Sequence, residues 1–147
     1  MATADLQPET TLQLKQIFPA SREKVFRAWT EPEAMKRWLA PSDEFSIPTV
    51  EVDLRVGGKY HVDMLSPEGI HHVATGVYRD IQPPHKLVFT WYWENKDMQE
   101  TLVTLEFRER GKETELVLTH ERFPNPEERD RHQHGWTGCL ARLVKAL

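Results

Sequence analysis

At 147 residues the chain has the length of one domain, enough to fold without a disulfide or a metal. Its formal charge of −4, with Lys and Arg spread among the acids, lacks the clustered basic face that nucleic acid requires. Cys139 is the only cysteine, no apolar run approaches the ~18 residues of a membrane span, and the opening Met1–Leu6 lacks a basic-then-apolar signal, so the expected location is the cytoplasm.

Residues 1–9 are polar and are expected to be flexible. Leu12 and Leu14, continuing towards Ile17 and Phe18, alternate as a first strand, which Pro19-Ala20-Ser21 ends. Ser21 is a helix N-cap candidate, with Glu23 in the first turn and Val25, Phe26 and Trp29 on the buried face. Glu31-Pro32 restarts a second short helix whose apolar face, Met35, Trp38 and Leu39, runs until Pro41.

A series of strands follows. Phe45 to Leu54 alternates with Val50, Val52 and Leu54 on one face, and Pro48 marks an edge or a bulge. After a turn at Gly57-Gly58, Tyr60, Val62 and Met64 share a face opposite Lys59, His61 and Asp63. Ser66-Pro67-Glu68-Gly69 reads as a hairpin turn, and His71 to Ile81 as a strand bulged near Gly76. Leu87 to Trp93 is apolar on both faces, which predicts a central strand. A turn at Asn95-Lys96-Asp97 and another at Arg110-Gly111-Lys112 flank a strand carrying Val103, Leu105 and Phe107. Leu116, Leu118 and His120 share a face of the last strand.

From Asn125 to Leu147, the residues His132, Trp136, Cys139, Leu140, Leu143 and Leu147 fall on one stripe of a long amphipathic helix. A late helix and a large antiparallel meander bury themselves against each other, so the pattern predicts an α+β fold. A space between a curved sheet and a helix laid across it suits an apolar guest.

Several words of the sequence, in order, resemble a known family. They are Phe18-Pro-Ala-Ser-Arg-Glu-Lys-Val-Phe-Arg-Ala-Trp29, Met35-Lys-Arg-Trp-Leu-Ala-Pro41, Gly57-Gly-Lys-Tyr60, Gly76-Val-Tyr-Arg-Asp-Ile-Gln-Pro-Pro84, Leu87-Val-Phe-Thr-Trp91, Thr114-Glu-Leu-Val-Leu-Thr-His120 and His134-Gly-Trp136. The ordered set spans nearly the whole chain. It resembles the activator of heat-shock-protein-90 ATPase homologue family, within the START-like (Bet v 1-like, polyketide-cyclase-like) superfamily. The resemblance implies a helix-grip fold: a curved antiparallel sheet of six or seven strands wrapped on a long carboxy-terminal helix, with two short helices after the first strand. It implies one domain over 1–147, with a cavity between sheet and last helix. The eukaryotic activator carries a further amino-terminal domain that makes much of the chaperone contact. A chain of 147 residues is too short for both, so length argues against direct chaperone activation.

The expected cavity draws on Trp38, Tyr60, Val62, Met64, Tyr78, Phe89, Trp91, Trp93, Val103, Leu105 and Leu118, and on Trp136, Cys139, Leu140 and Leu143 of the last helix. His120 and Glu100 are its polar candidates. Most of the large aromatics are expected to be core, because apolar burial makes them the default stabilisers. His120 and Trp136 allow two accounts. Either both face the cavity, or the histidine is a core residue satisfied by backbone beside a packing tryptophan, the commoner outcome.

The other chemistry-bearing residues read as structural. His71 and His72 point to opposite faces of a strand, and His132 and His134 diverge around a helix, so surface histidines are expected and no metal or cofactor. Asp63 and Glu106 lie opposite the apolar faces of their strands and are expected in solvent, and Glu51, as a charged strand residue, is read as part of a solvated face. Cys139 sits on the apolar stripe as a small hydrophobe. There is no Gly-x-Ser-x-Gly word and no phosphate loop.

The leading expectation is therefore binding of a small hydrophobic or amphipathic molecule without catalysis. A cyclase- or dehydratase-like reaction using His120 or Glu100 is one alternative. A chaperone cofactor or regulatory partner docking on the outer face of the Val88–Tyr92 strand is another, and a homodimer through that same patch accounts for it equally well.

Overall fold

The alternating apolar residues form an antiparallel sheet in the computed structural model, which describes residues 7–94 and 99–147. Among the described residues seven strands are present: β1 (Leu12–Phe18), β2 (Ser46–Val52), β3 (Lys59–Leu65), β4 (His71–Gln82), β5 (Lys86–Trp93), β6 (Thr101–Arg110) and β7 (Glu113–Glu121). Their order across the sheet is β1-β7-β6-β5-β4-β3-β2. The meander from β2 to β7 is thus closed by the first strand, which pairs with the last from Leu12↔His120 to Phe18↔Thr114. β5 stands in the middle, as its two apolar faces predict. The expected turn at 95–97 lies outside the described residues.

The helices are α1 (Arg22–Thr30), α2 (Pro32–Met35) and α3 (Pro126–Ala146). Ser21 caps α1 by accepting the Lys24 amide at 3.2 Å. Asn125 caps α3 in the same way, accepting the Glu128 amide at 2.9 Å, so the last helix begins one residue later than the periodicity predicts. Trp38 is completely buried after α2, and its indole N–H donates to the Ala28 carbonyl at 3.0 Å. That bond joins the two short helices into one block covering one end of the sheet.

Local details differ from expectation for physical reasons. β2 stops at Val52, and Leu54 is 43 % exposed rather than on the apolar face. The bulge in β4 falls at Arg79, not at Gly76: Tyr78 pairs with Phe89 and Asp80 with Val88, which leaves Arg79 as the extra residue. Gly76 has a different task. A Cβ there would lie 2.0 Å from the Thr90 carbonyl oxygen and 2.8 Å from the Tyr60 ring. Its bare backbone admits the Tyr60 phenol, which donates to that same carbonyl at 2.5 Å. Within the stretch expected to be flexible, Pro8–Thr10 form a 3-10 turn whose Pro8 carbonyl accepts from Arg129 of α3.

The core lies between the inner face of the sheet and α3. Leu87, Val103, Leu105, Leu116, Leu118 and Leu143 are completely buried there. Each such side chain contributes roughly 1.5–3 kcal/mol by leaving water.

Candidate ligand-binding cleft

The inner face of the sheet and α3 do not close on each other evenly. Towards the carboxy-terminal half of the helix, Leu140 and Leu143 are buried in the hydrophobic core. Towards the amino-terminal half an open cleft of about 590 Å³ remains. One wall is strand, with Met64 of β3, His72 of β4 and Trp91 and Trp93 of β5. The opposite wall is α3, with His132, Gly135, Trp136 and Cys139. Leu39, Pro41 and Phe45, from the segment between α2 and β2, close one side. Glu128, Asp130 and Arg131 give the rim its charge, His134 adds a polar ring, and Arg131 pairs with Glu128 at 2.8 Å.

Behind the cleft lies a second, much smaller space of about 20 Å³. Trp29, Met35, Tyr60, Tyr78 and Phe89 wall it, and it shares Leu39, Trp91 and Trp136 with the cleft.

Two indole-to-imidazole bonds tie the helix to the sheet beside this space. Trp136 Nε1–H donates to His120 Nδ1 at 3.0 Å. An indole nitrogen only donates, so His120 carries its proton on Nε2. Nε2–H then donates to Thr101 Oγ1 at 2.6 Å, and the Thr101 hydroxyl donates to the Trp91 carbonyl at 3.0 Å. Both ring nitrogens of His120 and the Thr101 hydroxyl are thereby satisfied. Burial, and secondarily the neighbouring His132, hold the His120 pKa well below the ordinary imidazole value, so the ring is neutral. The second bond is nearer the solvent: Trp93 Nε1–H donates to His132 Nε2 at 2.9 Å, while His132 Nδ1 donates to the Glu128 carbonyl at 2.7 Å. The two imidazoles stand edge to face, 5.3 Å apart, and Phe123 lies within 4.7 Å of both.

Neither account of the His120–Trp136 pair covers what is found. The histidine is a core residue, but side chains rather than backbone satisfy it, and one of them is Trp136 itself. Two other expectations are corrected. His132 is not a surface histidine: it is 9 % exposed and bonded on both ring nitrogens. Asp63 is not in open solvent either; its side chain is 14 % exposed and pairs with His71 at 2.9 Å. Among the described residues no group of three His, Cys, Asp or Glu side chains is placed to hold a metal ion.

Of the residues singled out from the sequence, Met64, Trp91, Trp93, Trp136 and Cys139 line the cleft. Tyr60, Tyr78 and Phe89 line the small inner space. Burial raises both tyrosine pKa values and pushes the Cys139 thiol up to about 12, so all three are protonated at neutral pH. Val62, Val103, Leu105, Leu118 and Leu140 are packed core, and Glu100 is exposed. Trp38 and Leu143 border a separate shallow depression beside α1. Sequence reasoning missed Leu39, Pro41, Phe45, His72, Gly135 and the charged rim. His132 had a visible signal, its place on the apolar stripe of the last helix.

Known proteins share this architecture. The sequence model of one family, described as "Activator of Hsp90 ATPase homolog 1-like protein", matches residues 19–147. The chain belongs to this family. Its helix-grip fold is that of solved family structures. A crystal structure of a protein from Chromobacterium violaceum superposes with a TM-score of 0.83 at 26% identity, covering 92% of this chain and 95% of that one. An AHSA1 protein from Silicibacter pomeroyi gives 0.82 at 25% identity, with 92% and 95% covered. An HSP90 activator from Plasmodium falciparum gives 0.71 at 26% identity, with 92% and 94% covered. Among curated proteins, activator of 90 kDa heat shock protein ATPase homolog 1 of Homo sapiens is 28% identical over 131 residues, 88% of this chain. The chain spans only 34% of that relative's length. Among the described residues, no helix is long and apolar enough to cross a membrane.

Proposed function

We propose that this family member binds a small hydrophobic or amphipathic molecule in the cleft between the sheet and the first half of α3, without catalysing its conversion. The observation that carries the reading is the cleft itself: about 590 Å³, an aromatic floor of Trp91, Trp93 and Trp136, and a charged rim. Volumes of ~300–1,000 Å³ with apolar walls and few polar groups are typical of small-molecule sites. An acid–base reaction finds less support, since both ring nitrogens of His120 and of His132 are engaged by protein groups and Glu100 is exposed.

Titration with 1-anilinonaphthalene-8-sulfonate tests the reading. Saturable fluorescence at about one site per chain, displaced by fatty acids or polycyclic aromatics, is expected. Replacing Gly135, whose Cβ position faces open space on the cleft wall, by Leu is expected to weaken that binding. Absence of saturable binding would overturn the proposal.

A second reading is favoured by the relatives' printed names: contact with a 90 kDa heat-shock protein. It predicts that this chain stimulates the ATPase rate of such a chaperone, and a rate unchanged at saturating protein rejects it.

A further inference from the structure

The shallow depression beside α1 measures about 180 Å³ and shares no lining residue with the cleft. It is bounded by α1, by the segment through α2 to Trp38, and by the last turns of α3. Lys24 and Arg27, three residues apart, lie on one face of α1, and Arg37 adds a third cation from beyond α2. All three are exposed, and among the described residues none has an acidic partner. Their neighbours do: Lys36 pairs with Glu33 at 3.3 Å and Arg142 with Asp43 at 3.0 Å.

Little in the depression offsets these charges. Glu31 is the one acidic side chain of its lining, and the carbonyl end of α3 carries only about half a negative charge. An excess of positive charge therefore remains, in a chain whose formal charge is −4. The rest of the lining is apolar: Ala34, Ala146 and Leu147 are half-buried, and Trp38 and Leu143 are fully buried. The walls are also tied together. The Trp38 indole holds the segment after α2 to α1 through the Ala28 carbonyl. Arg142 of α3 holds the same segment by donating to the Trp38 and Arg37 carbonyls at 3.4 and 3.5 Å. An occupant would have to order only long surface side chains, which keeps the entropic cost of binding low.

We infer that this depression docks an acidic segment of another protein, whose carboxylates meet Lys24, Arg27 and Arg37 and whose one apolar side chain seats between them. The inference goes beyond the ligand-binding reading and does not depend on it. A space of about 180 Å³ is smaller than the ~300–1,000 Å³ of small-molecule sites and takes about one side chain. Cations standing on two elements match a run of carboxylates better than a single small anion. Three cations on an acidic chain do not make the basic face that nucleic acid requires.

The test titrates the full ¹⁵N-labelled chain with the capped peptides EEELEEE and KKKLKKK. The acidic peptide is expected to bind saturably and to shift the backbone amides of Ala28, Ala34 and Ala146, leaving that of Gly135 in the cleft in place. Raising the salt from about 0.05 to about 0.5 M is expected to weaken it severalfold, since the charges are exposed. EEEGEEE is expected to bind about fivefold more weakly, the scale of partly burying one leucine. Arg27→Glu combined with Arg37→Glu is expected to abolish peptide binding and to leave dye binding in the cleft unchanged. Glu31→Gln is expected to tighten the peptide about twofold. The inference is overturned by absence of saturable shifts with EEELEEE, by equal binding of KKKLKKK, by shifts confined to the cleft, or by full affinity in the double variant. Binding to phosphatidylserine vesicles while both peptides fail overturns it too. The dye titration decides the cleft separately.

Discussion

The two halves of α3 meet the same sheet in opposite ways. Its carboxy-terminal half presents Leu140 and Leu143, both buried in the hydrophobic core, with Leu143 beside Trp38 at the edge of a shallow depression. Its amino-terminal half presents His132, Gly135, Trp136 and Cys139, and there the sheet stands away and a cleft opens. The difference teaches that one helix can serve as a strut at one end and a wall at the other. What changes along it is side-chain size and polarity. Glycine and two hydrogen-bonded rings take the place of interlocking leucines. The rings hold the helix at a set height through directional bonds, whereas leucines draw surfaces together until no void remains.

The contrast can be broken by mutation, and the largest effect belongs to the packed half. Leu143→Ala is expected to cost about 2–5 kcal/mol of stability by urea unfolding, with dye affinity in the cleft unchanged. Loss of dye binding at matched fold would show that the two halves are not separable.

Two glycines one turn apart sharpen the contrast. A Cβ on Gly138 would lie 2.1 Å from the Pro41 carbonyl oxygen, whereas one on Gly135 meets nothing within 4 Å. Gly138→Ala should therefore destabilise by about 1–3 kcal/mol, because backbone must move. Gly135→Ala should stabilise by about 0.5–1 kcal/mol through helix propensity alone. Equal signs for the two in thermal unfolding would contradict the helix placement.

The third test uses pH. His120 is held neutral in the folded state, its pKa depressed by burial and then by His132. In the unfolded chain it protonates near the ordinary value of ~6.5. The unfolded state therefore binds more protons as pH falls below that point. The stability that this neutral histidine contributes is fully present above ~6.5 and is lost progressively below it, at no more than about 1.4 kcal/mol per pH unit for one proton. His120→Gln is expected to flatten that limb of the unfolding-free-energy curve. An unchanged slope would place the acid sensitivity elsewhere.

Sequence patterning alone determined the strands, the central place of β5, the cap of α1 and the stripe that α3 buries, because these follow from residues close together in the chain; the Asn125 cap of α3 came only with the structure. Patterning also brought His120 and Trp136 to notice, since each lies on the buried face of its own element. Only the tertiary structure decided that the two rings bond each other, that Thr101 completes the chain, and that His132 is buried against Trp93. It alone decided where the gap lies. A void is the space left when elements distant in sequence reach their closest approach, and Pro41 and Phe45, His72 and Gly135 come together there from three separate segments. Spacing along a chain carries faces and periods; it holds no record of the distance at which two faces stop.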